Sequence, residues 1–210
     1  AVSGLSYETI FARTGIEQAK LLETAELFAK AERGVIICAE GITKQRNGYQ
    51  NVLNLMDLAF ITGKLSKAGS GLNALCEENN EQGAADMGAM PDYLPGQQSI
   101  TDKDARAKAG KAWAEELPTH DGATLLEIIE KARAGEIKAL YIVGENPVGT
   151  LPASMKIAEA LEQVSAGGGF VLCQDPFLTE TGQLADAVFP ASTYAEKEGT
   201  FTNTEGKVQK

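Results

Sequence analysis

Apolar residues along this chain keep two spacings, one helical and one suited to short buried strands, and they alternate. The spacing predicts a helix over 16–31, where Leu21, Leu22, Ala25, Phe28 and Ala29 share one side. Gly34 then gives way to the apolar run Val35-Ile36-Ile37-Cys38-Ala39, which reads as a strand. A second helix over 49–63 carries Val52, Leu53, Met56, Ala59 and Phe60 on one side, and Gly63 is placed to cap its end. From 64 to 96 the periodicity fades. Gly69, Gly71, Gly83, Gly88, Pro91, Pro95 and Gly96 mark a long irregular connection, and such connections inside a compact chain often carry function.

The second half repeats the alternation more tightly. A polar helix is expected near 101–116, and an amphipathic one over 123–134 turns Leu125, Leu126, Ile129 and Ala132 inward and ends at Gly135. Ile137 to Val143 reads as a strand, 154–164 as a crossover helix, and Phe170 to Cys173 as a second strand entered through Gly167-Gly168-Gly169. This order predicts neighbouring parallel strands with a right-handed crossover. A short strand, Ala187-Val188-Phe189, stops at Pro190, and the tail beyond it is too polar for a core. The fold class is therefore α/β, an open, mostly parallel sheet with helices on both faces and Rossmann-like βαβ units. The expected division is residues 1–78 as part of one α/β domain and 79–210 as a second.

Both strands of the βαβ unit end in residues suited to a ligand. The first runs into Gly144-Glu145-Asn146-Pro147 and the second into Gln174-Asp175-Pro176. In an open parallel sheet these carboxyl ends lie on one edge, where nucleotides bind, so Gly144 would flank a phosphate while Asp175 accepts hydrogen bonds from a base or sugar. An ordinary βαβ unit whose turns hold nothing accounts for the spacing slightly better.

Composition narrows the partners. With 19 basic against 29 acidic side chains the net charge is −10, which disfavours nucleic acid. No apolar run is long enough to span a bilayer, and the start, Ala1-Val2-Ser3-Gly4, lacks an export pattern. Cys38, Cys76 and Cys173 are dispersed and odd in number, which points to reduced thiols in a cytoplasmic protein. Any association with a membrane is expected to run through a complex. His120 lies between Pro118-Thr119 and Asp121-Gly122 in an expected exposed turn, without partners for a metal site or a triad, so no catalytic or metal-ligating residue is assigned.

Three runs in order, 79–89 (NNEQGAADMGA), Gly144-Glu145-Asn146-Pro147 and 174–181 (QDPFLTET), together with 185–190 (ADAVFP) and 196–203 (EKEGTFTN), resemble the molybdopterin oxidoreductases over nearly the whole chain. The members most similar in feel are the G subunit of bacterial respiratory NADH dehydrogenase and the catalytic subunit of formate dehydrogenase. The resemblance implies a central fragment of a larger multidomain subunit, with an iron–sulfur cluster outside it. It also implies partners in the remaining domains of that subunit and in other subunits of a redox complex. It places Gly144, Glu145, Asn146, Pro147 and Asp175 against the guanine dinucleotide arm of a molybdopterin cofactor, with Thr179 and Glu180 beside the nucleotide. Asn79, Gln82 and Gly83 would approach the pterin region.

One departure bears on mechanism. Formate dehydrogenases of this family carry an arginine three residues before the Asn-Asn pair, where this chain has Cys76-Glu77-Glu78. Two glutamates in place of a cation would repel formate. The expected function is therefore electron transfer, as in the G subunit of NADH dehydrogenase, with a formate dehydrogenase fragment as the alternative and a non-catalytic nucleotide-binding or interaction module as a third reading. Cys76 itself is expected to be packed at a domain junction.

Overall fold

A computed structural model describes residues 4–65 and 67–210, so the first three residues of the start read above lie outside the described residues. The chain divides into two compact units, one reaching to Glu81 and taking in Thr202–Lys207, the other made of Gln82–Phe201 and Val208–Lys210.

The first unit is built from α1 (Tyr7–Thr14), α2 (Gln18–Lys30), β1 (Val35–Cys38), α3 (Glu40–Thr43), α4 (Gly48–Ile61) and β2 (Gly71–Ala74). β1 and β2 pair in parallel, Val35 opposite Gly71 through Cys38 opposite Ala74. The 64–96 connection thus contains a strand that sequence spacing misses, because Gly71-Leu72-Asn73-Ala74 has a single large apolar side chain. The apolar run of β1 is covered on one face only. Cys38 is buried while Val35 and Ile37 are exposed. In α4, Ala59 is buried but Phe60 and Met56, both expected inward, are exposed. Lys64, buried just past α4, donates from Nζ to the carbonyls of Ala29 and Ala31, satisfying acceptors left open at the end of α2.

The second unit begins with α5 (Glu81–Asp86), a two-residue antiparallel ladder of β3 (Tyr93–Leu94) with β4 (Gln98–Ser99), α6 (Lys103–Trp113) and α7 (Leu125–Arg133). Its centre is β5 (Ala139–Val143), α8 (Pro147–Thr150), α9 (Ile157–Ala166), β6 (Phe170–Asp175), α10 (Glu180–Gln183) and β7 (Ala187–Pro190). β5, β6 and β7 form one parallel sheet in that order, Leu140 opposite Val171 and Leu172 opposite Ala187. The expected pairing of the two strands is thus present, and the chain is α/β with open, mostly parallel sheets. The tail adds the short pair β8 (Phe201–Thr202) and β9 (Val208–Gln209).

Helix α9 seals the core. Ile157, Ala160, Leu161 and Val164 are buried at helical spacing and pack with Ile129, Ala132 and Val171, while Leu140 and Ile142 of β5 lean on the same cluster. Leu125 and Leu126 depart from expectation, being 50% and 61% exposed. They sit at the first turn of α7, where the Thr124–Glu127 capping box, not packing, fixes the helix start. Asp186 ties the entry to β7 back into the sheet, its carboxylate accepting from the Val171 amide at 2.7 Å and the Ser165 hydroxyl at 2.8 Å. Those bonds, the backbone one first, hold its pKa below the ordinary aspartate value of 3.8.

Two outcomes are expected. Leu161→Ala, at a site 3% exposed, should lower unfolding free energy by about 2 to 5 kcal/mol, and Leu126→Ala by less than about 0.5 kcal/mol, both read by urea denaturation. Because its folded pKa is depressed, Asp186 contributes stability that is present above its unfolded pKa and lost as pH falls through the folded one. Asp186→Asn should therefore show a shallower loss of stability between about pH 5 and pH 3, and an unchanged slope would contradict the assigned bonds.

Candidate functional site

The parallel sheet brings the carboxyl ends of β5, β6 and β7 to one edge. An open cleft of about 490 Å³ lies there, lined by Val143 at the end of β5 and Gly144 after it, Gln174 near the end of β6 and Pro176 after it, and Ala191 to Tyr194 with Lys197 beyond β7. Gly144 sits at φ +65°, with no atom within 4 Å of where a Cβ would stand, and its amide still extends the ladder to the Gln174 carbonyl at 2.8 Å. A side chain there would be strained and would fill the space in front of the strand end; glycine leaves backbone open to close approach. Tyr141 donates its hydroxyl to Gln174 Oε1. Tyr194 is 83% exposed, an aromatic face available for stacking, and Lys197 adds a cation to the wall.

The residues singled out from sequence do not all converge on this cleft. Gly144 lines it. Glu145 and Pro147 instead border an apolar groove with Leu125, Ile129 and Leu161. Asn146 turns toward α10, where its amide donates to Glu180 Oε2 at 2.8 Å, and its Oδ1 accepts from Thr181 Oγ1 at 2.8 Å and the Thr181 amide at 3.2 Å. Glu180 has its pKa lowered, first by a backbone hydrogen bond and then by Asn146. Thr179 caps α10, its hydroxyl accepting from the Gly182 amide at 3.2 Å. Asp175, the last residue of β6, commits Oδ1 to the Phe177 amide at 2.8 Å in an Asx turn and does not line the cleft. Gln82 and Gly83 lie on α5, where the Gln82 amide faces Asp86 at 3.4 Å, and Asn79 belongs to the first unit.

Sequence reasoning missed Thr181, Gln174, Tyr194 and Lys197. Gln174 was legible as the strand-end neighbour of Asp175, on the opposite face by strand alternation. Thr181 carries no pattern of its own, since its importance comes from a partner 35 positions away.

Around Cys76 the first unit is anionic. Cys76 is exposed, not packed as expected. A hydrogen bond with Glu81, then partial burial, then the charges of Glu81 and Glu40 push its thiol pKa up. The nearby cation, Lys44, is engaged by Glu40 and by Glu77 at 3.0 Å. His120 is exposed, its Nδ1 2.9 Å from the Asp121 carbonyl, and among the described residues no group of three or more His, Cys, Asp or Glu could hold a metal. The Cys76 environment has a direct readout. At about pH 8 its alkylation by iodoacetamide should be slow for an exposed thiol and faster in Glu81→Gln, because removing the carboxylate lowers the thiol pKa toward its ordinary value. Equal rates by mass spectrometry would show that Glu81 does not hold the proton.

Among the described residues no helix is long and apolar enough to cross a membrane. The molybdopterin oxidoreductase family model matches residues 18–210. The chain is 42% identical over 195 residues to the F420-dependent formate dehydrogenase subunit alpha of Methanocaldococcus jannaschii, covering 93% of this chain and 28% of that protein. It is 37% identical over 202 residues to formate dehydrogenase H of Escherichia coli, covering 96% and 28%, and 39% identical over 199 residues to the probable oxidoreductase YjgC of Bacillus subtilis, covering 94% and 20%. The chain thus spans less than a third of the length of these relatives. With the family model covering residues 18 to 210, the chain belongs to the molybdopterin oxidoreductases and corresponds to a segment of an oxidoreductase subunit.

Proposed function

We propose that this chain is a segment of a formate dehydrogenase catalytic subunit, in which the carboxyl edge of β5, β6 and β7 seats the guanine nucleotide arm of a molybdopterin guanine dinucleotide. The observation that carries this reading over the NADH dehydrogenase one is the 42% identity to a formate dehydrogenase alpha subunit across 93% of the chain. The edge fits the nucleotide arm chemically. Gly144 leaves room for a phosphate to approach the backbone, Lys197 offers it a positive charge, and Tyr194 offers a base a stacking face. Asp175, at the end of β6 beside the cleft and not in its wall, keeps one carboxylate oxygen not used by Phe177, which would meet a base that extends past the cleft wall. The Asn79, Gln82 and Gly83 segment is assigned to the pterin end by its likeness to the family. When bound, such a cofactor would supply a redox-active metal centre for a two-electron oxidation. The iron–sulfur cluster is assigned to the rest of the subunit, and the partners are its remaining domains and other subunits of a redox complex.

The NADH dehydrogenase reading keeps one specific observation in its favour. Cys76 stands in an anionic surrounding whose lysine is already engaged, so nothing at that position offers formate a cation. The full-length subunit, isolated anaerobically, decides between them. The formate dehydrogenase reading expects molybdenum or tungsten by elemental analysis together with formate-dependent dye reduction. Metal-loaded subunit that leaves the dye oxidised would favour electron transfer alone.

Asp175→Asn separates fold from binding. The amide oxygen can still accept from Phe177, so the urea midpoint should hold, whereas the remaining position becomes a donor facing guanine donors. Retention of the guanine dinucleotide should fall by about tenfold, the effect of losing one charge-assisted hydrogen bond. Unchanged retention would remove Asp175 from the nucleotide site.

A further inference from the structure

Two short helices that follow neighbouring strands cap each other. Asn146 is the N-cap of α8, a position where an asparagine side chain ordinarily bonds to its own helix, yet it makes no such bond. Its Oδ1 takes instead the amide of Thr181, in the first turn of α10, at 3.2 Å. The exchange is returned. Thr181 Oγ1 accepts from the amide of Val148, in the first turn of α8, at 3.1 Å, and donates to Asn146 Oδ1 at 2.8 Å. Each helix thus has one open first-turn donor satisfied by a side chain of the other. Thr181 is fully buried, so neither of its bonds can be replaced by water without opening the contact. Glu180 closes the network by accepting from the Asn146 amide at 2.8 Å, and Gly149 leaves space for it. A Cβ at Gly149 would collide with Asn146 Nδ2 and stand 3.2 Å from Glu180 Oε2.

We propose that Asn146 and Thr181 are positioning residues: their reciprocal capping locks the turn after β5 to the turn after β6 and so holds Gly144 in place at the cleft wall. The side chains that family likeness brings to the nucleotide, Asn146 and Glu180, are spent on this lock. Asn146 acts on a ligand through the Gly144 backbone two residues away, and Glu180 acts through Asn146. This rests on the function proposed above only in naming the ligand that the held edge receives.

The test uses the full-length subunit and reads amide hydrogen exchange alongside retention of the guanine dinucleotide. Asn146→Ala should speed exchange at Val148 and Thr181 by about tenfold or more and lower retention by a similar factor. Gly149→Ala, which removes no hydrogen-bonding group but displaces the Asn146 amide, should do the same. Asn146→Asp sets two carboxylates against each other and should also fail, while adding Glu180→Gln restores a donor opposite an acceptor and should recover both readouts. Leu161→Ala, a core variant that removes no hydrogen-bonding group of the lock, should retain the dinucleotide well below its melting temperature. Unchanged exchange in Asn146→Ala and Gly149→Ala would overturn the lock. Faster exchange with full retention would overturn the positioning role, as would failure of the double variant to recover. Wild-type subunit that carries no guanine dinucleotide would instead count against the proposed function, and the exchange results would still judge the lock.

Discussion

Parallel pairing of β5, β6 and β7 is the constraint from which the rest of the second unit follows. Parallel strands cannot be joined by a tight hairpin, so the chain must cross over between β5 and β6. α8 and α9 make that crossover. Its stability comes from the stripe of Ile157, Ala160, Leu161 and Val164 buried against Val171 and the inward side of β5. A parallel arrangement also sends every strand out at the same edge. That is why residues as distant in sequence as Gly144, Gln174 and Lys197 line one cleft.

The polar contacts at the two ends of the sheet divide the labour. Asp186 fixes the entry to β7 at the amino end, through Val171 and Ser165. At the carboxyl end, Asn146, Thr181 and Glu180 tie the turns to each other, and Asp175 and Thr179 hold the segment between β6 and α10. What is left open is the space in front of Gly144, one carboxylate oxygen of Asp175, the exposed ring of Tyr194 and the charge of Lys197. An edge rigid in its turns and open in its backbone is pre-organised for a ligand, which then has little ordering to offset.

Much of this was legible in the sequence where local pattern and tertiary demand agree. The buried stripe of α9, the strands at 137–143 and 170–173, and their parallel pairing follow from spacing, because a helix between two short apolar runs has few other ways to bury its face. Legibility failed where long-range partners decide. β2 has too few large apolar residues to read as a strand and exists through its pairing with β1. Leu125 and Leu126 fit the helical period of α7 but lie beyond the reach of the core. At the edge, residue types and strand ends pointed to the cleft that Gly144 lines, yet not to the bonds its neighbours make. Asn146 reads as a ligand group from its position after a strand, and only the distance to Thr181 shows it holding another helix.

The carboxyl edge of β5, β6 and β7 is proposed to receive a guanine nucleotide. An experimental structure of the cofactor-loaded full-length subunit tests it most directly. Nucleotide density is expected in the cleft, with a phosphate against the Gly144 backbone and near Lys197, and with the Asn146 to Thr181 bonds intact beside it. Density for the nucleotide at another face of the unit, with this cleft filled by solvent or by protein, would contradict it.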